Sequence, residues 1–423
     1  MSETEVFSFS KPYTGDINAY VEDQLKFIRD TTKTGEKVVI PASGGIDSRV
    51  TVVLFQKALP AEQVFPVHLN TNYMRIIDGV EEIELVAKSF KDVPNFRVLD
   101  VREEFSTATF HIADAAEKRK MFRGTYNDII KKFVDELGIS TVSDGTIGPD
   151  KVETVGGEYK GVKMGKIKDQ HNVGYEPFER KIEPLAGVSK DEVRMIGRAL
   201  EIPEDLLWRQ PFPGPGLSLR TVGAIDEEKL NTEKRANDIV EQKTEKFFEG
   251  KYGRPFLYDS ITGERMPFQY FAATYDSNID DSTPLGEEIT EYVNRILFKD
   301  STETHILKAK STAMKVKGDK FERAYEPVAS INIKGDVDSF VLRHIGETIP
   351  LEFPVSRVLQ EIVTSKEGKY VVAIRAVKSR NALTAEPLMF GYSLTASEIS
   401  RDPNVKTVYR DITPKPPATI ENE

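Results

Sequence analysis

Residues 38–48 have the sequence VVIPASGGIDS, a short apolar run followed by two glycines that lie between serines. The apolar run at 38–42 predicts a buried strand, and the spacing of apolar residues at 48–59 predicts a helix. Two glycines allow the backbone to turn tightly and to bring its N–H groups close to an oxyanion. The N-terminus of the helix adds unpaired N–H donors and the positive end of its dipole. The segment therefore predicts a phosphate-binding loop between a strand and a helix.

The side chains of this loop limit the ligands that it could bind and the reactions that it could serve. Ser43 and Ser48 can donate hydroxyl hydrogen bonds to a phosphate, and Asp47 can bind Mg²⁺. The loop has no lysine of the Walker type, which argues against an ordinary kinase or GTPase. A glycine turn capped by serine is the structural alternative. Six suitable positions between a predicted strand and a predicted helix favour phosphate binding.

The segments around the loop predict a parallel α/β sheet. Helical spacing of apolar residues is found at 15–28 and 113–137, and strand-like apolar runs at 64–69, 96–101 and 139–143. Strands that alternate with helices predict a parallel sheet covered by helices on both faces. The KRK run at 118–120 is interpreted as the exposed face of its helix.

The pattern changes after a segment rich in proline and glycine, PFPGPG at 211–216, which cannot form a helix or an inner strand. A charged helix is predicted at 227–248, and strands are predicted at 328–333, 340–345 and 370–377. This half of the chain predicts an α+β domain.

Composition limits the class of protein. The chain has 423 residues, a net charge of −10 and no cysteine. The lack of cysteine excludes disulfides, thiolate metal sites and a cysteine nucleophile. The acidic balance argues against non-specific nucleic-acid binding, no apolar run reaches the roughly 20 residues that span a bilayer, and residues 1–16 lack a secretory signal. The prediction is a cytoplasmic enzyme with no nucleic-acid and no membrane partner.

The loop sequence SGGIDS at 43–48 resembles the SGGxDS signature of the PP-loop ATP pyrophosphatases, which adenylylate a carbonyl oxygen and release pyrophosphate. The signature alone leaves several substrates open, among them those of NAD synthetase, argininosuccinate synthetase, asparagine synthetase and the tRNA-thiolating enzymes. Further segments are similar to the synthetase part of the GMP synthases, of the archaeal type without a glutaminase domain. These are DGTIGPD at 144–150, KDQHNVG at 168–174, RQPFPGPGL at 209–217 and DITPKPPATIE at 411–421.

This resemblance implies a PP-loop domain at 1–223 and a second domain at 224–423 that dimerises and binds the acceptor nucleotide. It implies that ATP, with Mg²⁺, adenylylates xanthosine monophosphate (XMP), and that ammonia then displaces AMP to give GMP. The implied ATP-binding residues are Ala42, Ser43, Gly44, Gly45, Ile46, Asp47, Ser48 and Gly145. The implied catalytic residues are Asp47, which is also the metal ligand, and Lys168. The implied residues for the acceptor nucleotide are Arg375, Lys415, Pro416, Thr419, Ile420 and Glu421.

Several positions depart from the family pattern. Asn70 stands where the family has an acid, Asp144 replaces a glutamine, and Asn422 replaces a tryptophan. The segment at about 237–366 is an unusual insertion relative to the family's short dimerisation domain. Two other functions therefore stay open: a divergent PP-loop ligase that acts on a different nucleotide or base, and a non-catalytic nucleotide-binding regulator.

The source of ammonia follows from the same resemblance. Full-length GMP synthases carry a glutaminase domain whose nucleophile is a cysteine. In this chain the loop begins at Ser43, which leaves no room for that domain before it, and the chain has no cysteine. Ammonia is expected to arrive free or from a separate glutaminase subunit. A homodimer that forms through the second half of the chain is also expected.

Overall fold

The computed structural model describes residues 4–155, 157–159, 162–164, 178–210, 212–254, 257, 268–317, 320–365, 367–379, 384–389 and 391–423. The chain divides into two compact units. The first comprises Met1–Asn72, Ile83–Ala108 and Lys120–Gly214, and the second comprises Tyr73–Glu82, Thr109–Arg119 and Pro215–Glu423. The second unit thus includes three stretches that the predicted division at residue 223 assigns to the first domain, namely Tyr73–Glu82, Thr109–Arg119 and residues 215–223.

The described residues form helices and strands throughout both units. The helices are α1 Ile17–Thr31, α2 Ile46–Ala58, α3 Glu82–Ser89, α4 Arg102–Thr109, α5 Ala115–Glu136, α6 Gly148–Val155, α7 Lys190–Ala199, α8 Glu204–Leu207, α9 Glu227–Tyr252, α10 Leu285–Leu297, α11 Ser339–Glu352 and α12 Ser393–Ile399. The strands up to residue 183 are β1 Glu5–Ser8, β2 Val38–Pro41, β3 Val64–Asn70, β4 Ile76–Ile77, β5 Val80–Glu81, β6 Arg97–Asp100, β7 Thr141–Ser143, β8 Gly157–Tyr159, β9 Val162–Met164 and β10 Arg180–Glu183. The later strands are β11 Phe268–Asp276, β12 Thr302–Lys317, β13 Lys320–Ile333, β14 Arg357–Thr364, β15 Tyr370–Lys378, β16 Glu386–Pro387 and β17 Val405–Asp411.

The first unit is built on a parallel sheet. Among the described residues, six strands pair in the order β1-β10-β7-β2-β3-β6, and every pairing is parallel. The side chains of Val38, Val39 and Ile40 in β2 have no exposed surface, as expected for an inner strand of a parallel sheet. The predicted α/β class and the strand that precedes the phosphate loop are therefore confirmed.

The second unit contains a mixed sheet with helices. In the part of the chain that the structure describes, its strands pair in the order β11-β15-β17-β14-β13-β12, with β16 beside β15. β13 and β14 are parallel, as are β15 and β17, whereas the other pairings are antiparallel. The long helix α9 and the strands predicted at 328–333 and 370–377 are present. This arrangement agrees with the predicted α+β class.

The predicted strand at 340–345 is wrong, because these residues lie in α11. Asp338 accepts a hydrogen bond from the backbone N–H of Phe340 (2.7 Å) and caps the helix. Leu342, Ile345 and Ile349 follow at helical spacing and pack in one apolar core cluster. Phe340 itself is 77% exposed, so this apolar residue does not belong to a buried face of a strand.

Lys118 corrects a second interpretation, that the KRK run is an exposed helix face. The Lys118 side chain is 1% exposed. Its Nζ donates to the carbonyl oxygens of Thr221 (3.1 Å) and Gly223 (2.7 Å) and forms an ion pair with Glu423. Burial lowers the pKa of Lys118, and the Glu423 carboxylate opposes that shift. Lys118 is therefore a structural residue of the second unit.

No helix among the described residues combines the length and the apolar character needed to cross a membrane.

Candidate functional site

The loop between β2 and α2 has a backbone that suits a phosphate. Gly44 has a φ of +81°, which disfavours residues with a side chain, and a Cβ there would lie 2.7 Å from Val86 Cγ2. Gly45 precedes the helix and caps α2 without a side-chain hydrogen bond. The hydroxyl oxygens of Ser43 and Ser48 lie 3.3 Å apart. The loop therefore brings the helix N-terminus and two hydroxyls together, which suits an anion site, although the Ser48 hydroxyl here donates to the Gly45 carbonyl oxygen (2.9 Å).

Asp47 lies in the first turn of α2, and its two carboxylate oxygens have different surroundings. Oδ2 lies 2.5 Å from Nζ of Lys190 in an ion pair. Oδ1 is buried and accepts no hydrogen bond from any residue that the structure describes. Mg²⁺ prefers hard oxygen ligands and commonly binds one or two carboxylates together with substrate phosphates. The carboxylate at Asp47 therefore fits the predicted metal ion.

Gly145 brings the loop after β7 against the phosphate loop. β7 and β2 are parallel neighbours, so the loops that follow them lie at the same edge of the sheet. A Cβ at Gly145 would lie 2.8 Å from the carbonyl carbon of Asp47 and 2.9 Å from the backbone nitrogen of Ser48. Only glycine fits this approach without a backbone shift.

Among the residues that the structure describes, sequence reasoning missed the basic residues Lys190, Arg194 and Arg209 near the loop. Lys190 is the first residue of α7 and pairs with Asp47. Nη1 of Arg209 donates to the carbonyl oxygen of Gly44 at 3.4 Å. Arg194 is 5% exposed and its guanidinium lies 4.4 Å from the Trp208 ring centroid. Burial lowers the pKa of Arg194, whereas the nearby Asp191 and Asp47 carboxylates raise it.

A signal for two of these residues was present in the sequence. Lys190 follows Ser189, which begins a capping box with Glu192, and Arg209 opens the RQPFPGPGL segment. Neither pattern indicates which loop the side chain reaches. That information comes only from the packing of α7 against α2.

The structure shows the contacts of two residues that depart from the family pattern, Asp144 and Asn70. Asp144 is 6% exposed and its carboxylate lies 3.0 Å from Nζ of Lys181. It also accepts a hydrogen bond from the backbone N–H of Thr146 (3.0 Å). Asn70 ends β3, and its carbonyl oxygen accepts from the N–H of Val101 (3.1 Å). The buried negative charge at Asp144 is therefore balanced by a lysine on the neighbouring strand.

Lys168, the second predicted catalytic residue, lies outside the described residues.

The predicted acceptor strip, residues 415–421, is held by buried arginines of the second unit. Arg375 is fully buried and donates to the carbonyl oxygens of Ile420 (2.8 Å) and Thr419 (2.8 Å). Arg357, which sequence reasoning missed, is also fully buried and donates to the Thr419 carbonyl oxygen (2.9 Å). Both guanidinium groups lie 2.7 Å from Oδ2 of Asp411. The two arginines and one carboxylate therefore fix the backbone of the strip.

Burial and the neighbouring charges together determine the protonation of this cluster. Burial lowers the pKa of Arg375 to about 10. It pushes the pKa of Asp411 upward, but Arg375 and Arg357 outweigh it and hold that pKa below its usual value. Asp411 is therefore charged at neutral pH.

Other residues in and next to the strip are also held by hydrogen bonds to residues of the second unit. Both carboxylate oxygens of Glu421 accept from Arg220, at 3.0 and 3.3 Å, and this arginine lies 4.0 Å from the Phe271 ring centroid. The backbone N–H of Lys415 donates to the Ala385 carbonyl oxygen (2.8 Å), and the side chain is 8% exposed. Asn422, the replacement for tryptophan, is fully buried and donates to the hydroxyl of Tyr275. Pro416 lies within this strip.

A family model and two sequence relatives agree on one family. A family model described as GMP synthase C terminal domain matches residues 363–422. The B subunit of GMP synthase [glutamine-hydrolyzing] from Sulfurisphaera tokodaii is 34% identical over 415 residues, which covers 95% of this chain and 97% of that relative. The protein of the same description from Archaeoglobus fulgidus is 31% identical over 419 residues, covering 96% of this chain and 100% of the relative. A structure of NMN synthetase from Francisella tularensis aligns with a TM-score of 0.36 at 15% identity, over 52% of this chain and 94% of that chain.

These alignments are too long to leave out residues 237–366. The curated relatives align along almost the full length of the chain. They therefore contain a counterpart of this segment, which was predicted as an insertion relative to the family's short dimerisation domain. The family model covers the acceptor strip, since its match runs from residue 363 to residue 422. On this basis, the chain belongs to the B-subunit family of the GMP synthases, which are carbon–nitrogen ligases.

Proposed function

We propose that the chain catalyses the ATP-dependent amination of XMP to GMP, with release of AMP and pyrophosphate. The observation that carries this proposal is the loop at 42–48, where a left-handed glycine, a helix N-terminus and a carboxylate oxygen without a donor among the described residues lie together. Relatives that are described as the B subunit of GMP synthase align along almost the whole chain and support the same activity.

The reaction has two balanced steps. The C2 oxygen of XMP attacks the α-phosphorus of ATP, forming adenylyl-XMP and expelling pyrophosphate. Ammonia then attacks C2, and the C–O bond breaks to release AMP and GMP. Backbone N–H groups of 43–48 and the hydroxyls of Ser43 and Ser48 are suited to hold the pyrophosphate oxygens in place. Mg²⁺ at Asp47, when bound, neutralises charge on the leaving pyrophosphate.

The acceptor nucleotide is proposed to bind the strip at 415–421. Arg375, predicted as a direct contact, fits better as the residue that holds the strip, since its donors are used on Ile420, Thr419 and Asp411. Lys415 supplies a positive charge for the phosphate of XMP, and Thr419 and Glu421 supply polar groups for its ribose. A strip with a fixed backbone binds its ligand without a large ordering cost.

The ammonia is proposed to come from a separate glutaminase subunit. The relatives are described as the B subunit of a glutamine-hydrolyzing enzyme. A glutaminase of the amidotransferase type needs a cysteine nucleophile, and this chain has no cysteine. We further propose that the chain is a cytoplasmic homodimer.

The decisive experiment is a product assay with ATP, Mg²⁺ and ammonium, with and without XMP. AMP, pyrophosphate and GMP are expected in equal amounts and only when XMP is present. Glutamine in place of ammonium should give no GMP until a glutaminase subunit is added. Pyrophosphate released with another nucleotide acceptor but not with XMP would support the divergent ligase. ATP binding without turnover would support the regulator.

The contact at Gly145 gives a prediction for the same assay. In Gly145→Ala the new Cβ must displace the backbone of Asp47 or Ser48. A misplacement of about 1 Å in a reacting site costs on the order of a hundredfold, so kcat/KM for ATP should fall about a hundredfold. Gly124→Ala is the matched control, because Gly124 lies within α5 and a Cβ there meets nothing within 4 Å. Equal activities of the two variants would show that the loops need no such close approach.

A further inference from the structure

A buried polar stripe runs along α9 and consists of Glu233, Asn237 and Glu241. These residues are four positions apart, so they lie on one face of the helix. Glu233 and Asn237 have no exposed surface, and Glu241 is 7% exposed. Burying polar groups is costly unless each is hydrogen-bonded, so the contacts of the stripe show what it holds in place.

The central residue of the stripe, Asn237, is held in one orientation. Its Nδ2 donates to Oε1 of Glu241 (2.7 Å), and its Oδ1 accepts from Nη1 of Arg220 (3.3 Å) and from the backbone N–H of Ala272 (3.3 Å). A carboxylate only accepts and a guanidinium only donates, so a reversed amide would face the wrong group on both sides. Glu241 is itself fixed by an ion pair with Arg75 (2.9 Å). The stripe thus keeps the side-chain oxygen of Asn237 turned toward Arg220.

We infer that Asn237 is a positioning residue for the acceptor nucleotide, because it orients Arg220 and, through Arg220, the carboxylate of Glu421. This inference rests on the proposed function, in which Glu421 supplies a polar group for the ribose of XMP. Asn237 has no exposed surface, so it acts only through the arginine.

The geometry at Arg220 supports this role. Its Nε and Nη2 donate to the two carboxylate oxygens of Glu421, and its guanidinium lies 4.0 Å from the Phe271 ring centroid. The guanidinium is planar and its donors point in fixed directions, so a hydrogen bond at Nη1 also sets the direction of the other donors. Asn237 therefore determines how Arg220 meets Glu421. The Glu421 side chain is 19% exposed, which leaves it within reach of a ligand.

Glu233 brings a second carboxyl close to Arg220. Its Oε2 accepts from the hydroxyl of Thr274 (2.7 Å). Burial raises the pKa of Glu233 well above its usual value, and the Glu421 carboxylate adds to this shift, whereas Thr274 and Arg220 oppose it. The shift favours the neutral form of Glu233, which competes weakly for a guanidinium. Arg220 is therefore left to Glu421.

The test is a double-mutant cycle on the KM for XMP, measured with the full chain at saturating ATP, Mg²⁺ and ammonium. In Asn237→Ala this KM should rise about tenfold, because a hydrogen bond to a charged group is lost. The kcat and the KM for ATP should stay within about twofold of wild type, since only acceptor binding is affected. Glu421→Ala should raise the KM for XMP by itself. Adding Asn237→Ala to Glu421→Ala should raise it no further, because the two residues act through one contact.

Circular dichroism checks that the variants fold. If Asn237→Ala does not fold, the same cycle is run with Asn237→Asp, which keeps the size of the side chain. Its new charge should compete with Glu421 for Arg220 and raise the KM for XMP in the same way.

The matched control is Thr244→Val, on the same helix. Thr244 is 1% exposed, and its hydroxyl has no hydrogen-bond partner among the described residues. This change should leave the KM for XMP and kcat as in wild type. An unchanged KM in the Asn237 variants, or the same rise with and without Glu421, would overturn the inference while wild-type GMP formation still stands. A wild type that forms no GMP speaks against the proposed function instead.

Discussion

Asp47→Ala is expected to lower kcat for GMP formation by about a thousandfold or more, the scale seen when a group that stabilises transition-state charge is removed. The variant loses the carboxylate oxygen that has no donor among the described residues and is proposed to bind Mg²⁺. It also leaves Lys190 without its 2.5 Å partner. Raising the Mg²⁺ concentration should not restore the rate, because the ligand itself is missing.

Asp135→Ala is the matched control for this variant. Asp135 also pairs with a lysine of the first unit, but its side chain is 58% exposed. Its removal should leave the steady-state rate of pyrophosphate release unchanged, and circular dichroism of both variants checks that they fold. If Asp47→Ala kept activity within tenfold of wild type, the metal ion would have to bind other acids.

Asp411→Asn is expected to lower the free energy of unfolding by about 3–5 kcal/mol, the usual effect of removing one partner from a buried ion pair. The substitution keeps the size of the side chain but removes its charge. Arg357 and Arg375, both fully buried, then lose the anion that each contacts at 2.7 Å. The strip at 415–421 should become open to proteases, and the KM for XMP should rise.

The same carboxylate gives stability a defined dependence on pH. The pKa of Asp411 is lower in the folded protein than the value of about 3.9 in an unfolded chain. Its contribution is therefore complete above about pH 4 and is lost as the pH falls through the lower, folded value. Asp411→Asn should lack this acid-sensitive contribution.

Urea denaturation followed by circular dichroism measures the change in the free energy of unfolding, and the fluorescence of Trp208 reports on the first unit. Asp402→Asn is the control, because Asp402, at 14% exposed, pairs with an arginine, Arg235, that is 48% exposed and therefore partly hydrated, unlike Arg357 and Arg375. A pair of this kind contributes about 1 kcal/mol or less. A loss at Asp411 no larger than at Asp402 would mean that the buried arginines do not depend on the carboxylate.

The sequence predicted the features that depend on local pattern. The apolar run at 38–42 and the glycines after it were sufficient for the strand, the loop and the helix α2. The resemblance led to Gly145 and to the strip at 415–421. In the strand, the loop and α2, residue type and spacing carry the signal, whereas the binding roles of Gly145 and of the strip are implied by the resemblance and stay predictions.

Features that depend on distant packing could not be predicted in this way. Lys190 reaches Asp47 across 143 positions of sequence, and Arg357 reaches Asp411 across 54. A buried arginine in a strand such as β14 is indistinguishable by pattern from an exposed one. Lys118 was misinterpreted for the same reason, since charged runs in helices are mostly solvated. The strand prediction at 340–345 failed because a short, mostly apolar segment such as FVLRHI suits either a strand or a helix.

The second unit includes residues from early in the chain, and this affects how the protein can fold during synthesis on the ribosome. All strands of the parallel sheet have been made once Glu183 is translated. Arg75 and Lys118 are made before that point, but they are buried against Glu241 and Glu423, which follow much later. Until then, both charged groups must stay hydrated at the surface of the nascent chain. The first sheet can therefore form during translation, whereas the second unit can complete its buried ion pairs only after residue 423 has left the ribosome.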